Sequence, residues 1–250
     1  MIAQIKQAIK EKPFYEEENG LIYNNSCFDI LAEIPDNTID ICITDPPYGI
    51  NYRSNRASKT GKMKDFIIND KNEDDLLNVV KIVIPHLIRI LKKNSEIYWF
   101  CAGGCNKPIL VYAWLEFMKY ESELKVKNLL VWNKQYAGMG WDWRFQYETI
   151  FQLVKGSGIE NSDISASNVI SAKKVIPQKN EHPTSKSIEI ISHILKRKTK
   201  KNDIILDPFI GGGTTAVASK ELGRRFIGIE IDVKYCKMCV ERLRQGFLLL

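Results

Sequence analysis

Residues 206–232, LDPFIGGGTTAVASKELGRRFIGIEID, decide the fold. The residues just before and into this stretch, DIILDPF, form an apolar run that reads as a short β-strand. GGGTT is a turn, Thr215 to Leu222 has helical spacing, and RFIGIEI is a second strand. A strand that ends at Asp207 and passes through glycines 211, 212 and 213 straight into a helix is the βα half of a parallel βαβ unit. Gly211 and Gly213 allow a ligand to approach the backbone closely, where a Cβ would collide. The second strand ends at Glu230, 23 residues beyond Asp207, where an acid can receive ribose hydroxyls.

The turn is not G-x-G-x-x-G and carries no Walker lysine, so phosphate cradling is poorly supported. A nucleoside without a pyrophosphate fits better. Asp207 is badly placed against phosphate but suits an ammonium group. S-adenosyl-L-methionine offers both the ribose and the ammonium. The bland alternative is a packing turn with a coincidental acid, and the strand–turn–helix–strand context moves the nucleoside reading ahead of it.

Outward from this unit, strands and helices alternate. LIYNNSCFDIL reads as a strand followed by a helix capped at Asn25 or Ser26. TIDICIT is a strand. Residues 74–91 carry an apolar stripe, Leu77, Val80, Ile84, Leu87, Ile88 and Leu91, in a helix that Pro85 should kink or divide. EIYWF is a strand, residues 107–120 are a helix with Pro108 near its start, and KNLLVWNK and YETIFQLV are two further strands. Ser187 to Lys196 and Val233 to Arg244 are helical. The pattern predicts one α/β domain over residues 1–250: a mostly parallel, Rossmann-like sheet covered by helices on both faces. Residues 50–72 and 155–181 are weakly patterned, and segments at about 50–72 and 136–181 read as DNA-contact or recognition insertions.

With 250 residues, 44% apolar composition and ten Phe, the chain can bury a full core. Its formal charge of +6 slightly favours a polyanionic partner. MIAQIKQAIK lacks the unbroken apolar region of a signal peptide, and no segment approaches a membrane span, so a cytoplasmic protein with no membrane partner is expected. The six cysteines read as separate reduced thiols. Pairing Cys101 and Cys105 with Cys236 and Cys239 around zinc is disfavoured, because CAGGC follows a strand and CKMC lies within a helix; no metal is expected. His86, His182 and His193 read as structural.

The second informative stretch is TDPPYGI at 44–50, at the carboxyl end of the strand TIDICIT. Asp45 is an acceptor, Pro46 keeps a carbonyl without an N–H, and Pro46 and Pro47 together restrict the backbone that aims it. Tyr48 presents a flat face. Such a set can grip a planar ring by its face and an amino group by its hydrogens. A proline-stiffened turn with an Asp cap is the bland alternative. The loop NYRSNRASKTGKMK that follows holds Asn51, Arg53, Asn55, Arg56 and Lys59, suited to phosphates and base edges. Trp141 and Trp143 in YAGMGWDWRFQ suit either stacking on nucleic acid or anchoring a loop.

Together DPPY at 45–48 and DPFIGGGTT at 207–215 resemble the amino-group DNA methyltransferases, which methylate exocyclic nitrogens of adenine or cytosine. Their order along the chain, catalytic motif first and cofactor motif last, is similar to the circularly permuted β-type arrangement. HPTSK at 182–186 resembles the segment that precedes the cofactor-binding strand, although Ser185 and Ser187 stand where the family more often has Gln and Pro.

The resemblance covers most of the chain from about Tyr23 to Arg244. It implies S-adenosylmethionine as cofactor, contacted by Asp207, Pro208, Phe209, Gly211, Gly213, Thr214 and Glu230, with His182, Thr184 and Lys186 in the wall. It further implies that Asp45 and the Pro46 carbonyl accept hydrogen bonds from the target amine while Tyr48 stacks on a flipped base of double-stranded DNA. Aspartate in this motif most often accompanies adenine N6 activity and serine cytosine N4 activity. The expectation is therefore a sequence-specific adenine N6 enzyme, with cytosine N4 as the alternative and a non-catalytic DNA-binding regulator behind it. A homodimer and a restriction endonuclease acting on the same site are partners common in the family.

Overall fold

The computed structural model of the chain describes residues 1–47, 73–101, 109–138, 142–160, 165–173 and 186–245. The elements in order are α1 (Ile2–Ala8), β1 (Tyr15–Glu17), β2 (Gly20–Tyr23), α2 (Cys27–Glu33), β3 (Ile39–Thr44), α3 (Glu73–Ile90), β4 (Leu91–Cys101) and α4 (Ile109–Met118). They continue as β5 (Leu124–Asn133), β6 (Tyr147–Lys155), β7 (Val169–Ser171), α5 (Ile188–Lys198), β8 (Ile204–Asp207), α6 (Thr214–Glu221), β9 (Arg225–Ile229) and α7 (Val233–Gln245).

The strands form one sheet in the order β1-β2-β9-β8-β3-β4-β6-β5-β7. From β2 through β9, β8 and β3 to β4 every pairing is parallel. These central strands are apolar on both faces because helices cover both. Alternate residues divide between the two layers. Ile97, Trp99 and Cys101 of β4 face the layer containing α1, α2, α3 and α4, whereas Tyr98 and Phe100 face α5 and α6. The mostly parallel, two-faced sheet agrees with the sequence pattern, and so does the permuted strand order.

Beyond β4 the sheet turns antiparallel. β6 pairs antiparallel with both β4 and β5; the described residues of the β5–β6 connection form no helix, and a hairpin is then the available geometry.

Three elements escaped the sequence. α1 and β1 lie at one edge, clamped to each other by the Lys6–Glu16 ion pair at 2.6 Å. The three-residue β7 pairs parallel with the end of β5. All three are too short for an apolar period to emerge. Pro85, expected to kink or divide its helix, lies inside the 18-residue α3, which runs on undivided. The proline and Lys81, four residues before it, lie on the exposed side, while Val79, Val80, Val83, Ile84 and Leu87 remain buried around it. Packing of that stripe outweighs the lost backbone bond.

Local signals set the helix starts. The Ser26 hydroxyl accepts from Phe28 N at the head of α2, and Ser187 does the same from Glu189 N for α5. Lys196, Arg197 and Lys198 complement the dipole at the α5 carboxyl end.

Gly213 caps α6 in the left-handed region at φ 84°, and a Cβ there would run into Cys239 Sγ of α7. Gly213→Ala therefore meets two penalties, left-handed backbone at about 1–2 kcal/mol and overpacking at about 1–3 kcal/mol. Urea unfolding should show a loss on the order of 2–5 kcal/mol at unchanged m-value; a loss below that range would mean α7 yields to the methyl group.

Candidate active site

β3 and β8 are neighbours in register, Ile41 opposite Ile205 and Cys42 opposite Leu206. The residues that leave these strands therefore emerge side by side at the carboxyl edge. Asp45, Pro46 and Pro47 follow β3 directly, with Pro46 buried and the other two half-buried. Asp207 ends β8 and is 4% exposed. This juncture is the topological switch of the sheet: β8 connects outward to β9, and β3 connects to β4 on the other side.

Asp207 holds its own turn together. Its carboxylate accepts from Phe209 N at 3.1 Å and from Thr215 Oγ1 at 2.6 Å. Burial pushes its pKa up to about 7, against the pull of the Thr215 and Phe209 hydrogen bonds, and the nearby Asp45 charge adds to the rise. Pro208 is buried and Phe209 half-buried, the latter packed against the main core. Gly211 and Gly213 both take positive φ, 49° and 84°. Gly213 is needed for the approach of α7, an internal reason where the sequence suggested a ligand. Arg242 Nη1 of α7 donates to Gly212 O at 2.6 Å, and Thr214 Oγ1 donates to Lys186 O at 3.3 Å.

Glu230 stands one residue past β9. Its carboxylate accepts from Gly211 N at 3.0 Å and from Asp232 N at 2.8 Å. The acid is thus locked to the glycine turn by the backbone itself, and burial raises its pKa. Two acids, Asp207 and Glu230, flank one glycine turn. That donor set suits ribose hydroxyls and a cationic amino-acid end, and it suits no phosphate, so the residues fit S-adenosylmethionine.

The sequence did not anticipate what Lys186 does. Its ammonium, in a residue 8% exposed, pairs with Asp45 Oδ2 at 2.8 Å and with Glu148 Oε2 at 2.9 Å. It also stands 5.3 Å from the centroid of the Phe100 ring. Burial opposes the charge, but the Asp45 and Glu148 carboxylates outweigh it and hold the lysine above its ordinary pKa. Glu148, near the start of β6, also meets Lys134 at 3.5 Å. Glu148 escaped notice because it looks like any polar residue opening a strand. The available signal was its place: β6 begins where β4 ends, with Thr149 opposite Cys101.

The β5–β6 hairpin rises from the same edge. Its ladder continues past the strands through Lys134 N to Gln146 O at 2.9 Å and Gly138 N to Phe145 O at 2.8 Å. Trp143 on this hairpin is 86% exposed and Tyr136 62%, so Trp143 does not anchor the loop on the core.

Tyr48, the loop residues Asn51, Arg53, Asn55, Arg56 and Lys59, and His182 and Thr184 lie outside the described residues, as do Cys105 and Trp141. Cys27, Cys42, Cys236 and Cys239 are buried free thiols, and Cys101 is buried. His193 is exposed on α5 and His86 half-buried on α3, neither at the carboxyl edge.

Residues 39–241 match the family model of the N6/N4 class described as DNA methylase. Over 94% of its length the chain is 29% identical to the type II methyltransferase M2.LlaDCHI of Lactococcus lactis subsp. cremoris, 93% of which is covered. Among solved structures it is similar to the PvuII DNA methyltransferase (cytosine-N4-specific), with a TM-score of 0.73 at 17% identity, covering 94% of this chain and 89% of that one. It is likewise similar to the M1.HpyAVI–SAM complex, with a TM-score of 0.66 at 24% identity, covering 90% and 98%. The chain belongs to the amino-group DNA methyltransferases and is an S-adenosylmethionine-dependent enzyme of the N6 or N4 type.

The raised pKa of Asp207 has a thermodynamic signature. Folded, the group keeps its proton up to about pH 7; unfolded, it loses it near 3.8. The unfolded state thus binds fewer protons between those values, and this group's contribution to stability falls as pH rises through that window and is lost above it. Asp207→Asn should flatten that fall. With ~1.4 kcal/mol carried by each pKa unit, wild type and variant should diverge by up to about 4 kcal/mol across the window. Denaturant unfolding of both proteins at a series of pH values checks it, and parallel curves would refute the buried-acid account.

Proposed function

We propose that this enzyme methylates the exocyclic N6 of adenine flipped out of double-stranded DNA at a specific sequence. The observation that carries the reading is the adjacency of β3 and β8, which sets Asp45 and Pro46 beside the glycine turn. When bound, S-adenosylmethionine supplies a methyl group activated on a sulfonium. Glu230 binds its ribose hydroxyls and Asp207 faces its ammonium, with Pro208, Phe209, Gly211, Gly213 and Thr214 forming the floor. His182, Thr184 and the backbone of Lys186, whose carbonyl accepts from Thr214 Oγ1, belong to the wall.

An aromatic amine is a poor nucleophile because its lone pair is delocalised into the ring. Asp45 and the Pro46 carbonyl accept hydrogen bonds from its two N–H groups and favour a tetrahedral nitrogen, turning the lone pair toward the methyl carbon. The N–C bond forms as the C–S bond breaks. Positive charge moves from sulfur to nitrogen, which then releases one proton to solvent. Asp45 acts as a fixed acceptor, so it need not be a strong base. Most of the remaining acceleration comes from in-line alignment. Tyr48 stacks on the flipped ring, which must leave the duplex to reach the methyl group. Aspartate at position 45 favours adenine over cytosine.

DNA contact is assigned to Asn51, Arg53, Asn55, Arg56 and Lys59, together with the β5–β6 hairpin. A dimer and a restriction endonuclease acting on the same site accompany this reading, and the relative's description as a type II methyltransferase supports the latter. Among the described residues no helix is long and apolar enough to cross a membrane, in keeping with work on DNA in the cytoplasm.

Incubation with methyl-labelled S-adenosylmethionine and mixed-sequence duplex DNA, followed by digestion to nucleosides, should place the label on N6-methyladenine. Label on N4-methylcytosine would assign the cytosine reaction instead, and tight DNA binding without label would mark a regulator. Asp45→Ala should cut kcat by about 10²–10³-fold with cofactor affinity retained.

Glu230→Ala should weaken cofactor binding by roughly tenfold, or about 1.4 kcal/mol, in calorimetry; unchanged affinity would remove it from the ribose site. Trp143→Ala should weaken DNA binding by about 1–3 kcal/mol if the indole stacks on nucleic acid. An unchanged DNA dissociation constant would leave the hairpin facing solvent.

A further inference from the structure

We propose that Lys186 is a positioning residue for methyl transfer: its ammonium aims the Asp45 carboxylate, and Glu148 fixes and moderates that ammonium from the opposite side. The inference rests on the reading of Asp45 as acceptor of the target amine.

The four side chains form a line of alternating charge. Lys134 follows β5, Glu148 lies on β6, Lys186 precedes α5 and Asp45 follows β3, with contacts of 3.5, 2.9 and 2.8 Å along the line. Four separate segments thus converge on the orientation of one carboxylate. Lys186 and Glu148 are both well shielded, with side chains 8% and 16% exposed. A buried ion pair is a poor strut, because desolvation cancels much of its attraction and apolar side chains would brace the same gap as well. What apolar side chains could not do is hold a carboxylate in one orientation and in its charged form.

The geometry also divides Lys186 into two working parts. Its backbone carbonyl accepts from Thr214 Oγ1 at the head of α6, on the cofactor turn. Its side chain reaches the other way, to the acid after β3. One residue therefore ties the distance between the cofactor turn and the amine acceptor, the separation that in-line transfer requires. Glu148 has a second consequence. An ammonium paired with Asp45 alone would draw that carboxylate's charge onto itself and away from the amine. Sharing Lys186 with Glu148 leaves Asp45 more of its acceptor strength.

The groups facing Asp45 make opposite predictions for two variants. Among the described residues Lys186 is the adjacent cation, while Glu148, behind it, and Asp207, on β8, are negative when ionised; Lys134 is a more distant cation. Removing the lysine charge disfavours ionised Asp45, whereas removing the glutamate charge favours it. Single-turnover methylation of a duplex carrying the recognised site would be followed across the acid limb of the pH–rate profile.

Lys186→Met should lower the rate by about 10²-fold, as expected for a disordered acceptor, and move the acid limb to higher pH. Lys186→Arg, which keeps the charge, should recover part of the rate and return the limb toward wild type. Glu148→Gln should move the limb to lower pH. Cofactor affinity should stay within about threefold in all three, because the side-chain ammonium faces the acceptor.

A folded Lys186→Met with the wild-type limb overturns the proposal. If that variant does not fold, Glu148→Gln decides: a limb that stays in place overturns it, and one moved to lower pH supports it. Asp45→Ala, which removes the acceptor, separates the two levels of the argument. Normal turnover in that variant removes Asp45 from the reaction, whereas an inactive Asp45→Ala beside unshifted Lys186 and Glu148 variants rejects only the positioning role.

Discussion

A single ladder between β3 and β8 brings together residues far apart in the chain, and the chemistry depends on that ladder. Backbone hydrogen bonds set its register to the residue. A slip of one position would turn Asp207 away from its turn and send the Asp45 segment out at a different height. Two layers of helices oppose such a slip. Ile41 and Ile205 are held on one face while Cys42 and Leu206 are held on the other, so the alternation of burial locks the register from both sides. The fold's stability and the placement of its acids are thus one constraint.

On that frame, the carboxyl edge concentrates charge that the protein must compensate. Asp207 is buried, among the described residues takes its hydrogen bonds from Phe209 N and the Thr215 hydroxyl rather than from a cation, and responds by holding its proton to near neutrality. Lys186 is buried between two acids and responds by holding its charge. The two neighbouring sites therefore solve desolvation in opposite ways, one by neutralisation and one by pairing. A site that must receive a cationic donor on one side and a neutral amine on the other has use for both. On the proposed reading, Asp207 becomes anionic when a positive ligand arrives, whereas Asp45, paired with Lys186, stays an acceptor throughout.

Much of this was legible in the sequence. The βαβ unit from Ile204 to Ile229 announced itself through β-branched runs, a triple glycine and a strand-end acid, because those features are local. The two-sided burial of β3, β4, β8 and β9 followed from uninterrupted apolar runs. Shorter pieces were not legible: α1, β1 and β7 present too few residues for periodicity, and Pro85 overstated its power against a helix packed along its whole inner face. Lys186 could be noticed as part of HPTSK, but its side-chain direction could not. That direction depends on Glu148, which the sequence separates from it by the rest of β6, by β7 and by the connections around them, and on the antiparallel turn of the sheet beyond β4. Charge pairing across sheet topology leaves no spacing to read.

The antiparallel half of the sheet thereby acquires a purpose beyond completing the core. Had β6 run parallel to β4, its carboxyl end would lie at this edge and Glu148 would sit at the far end of the sheet. Running antiparallel, β6 starts at the edge and delivers Glu148 to Lys186. The same reversal puts the β5–β6 hairpin, with its exposed Trp143, above the site. Lys134 and Glu148 lie at the base of that hairpin, so the exposed Trp143 is rooted in the line of charges that ends at Asp45. Strand direction alone thus joins this exposed surface to the carboxyl edge of the sheet.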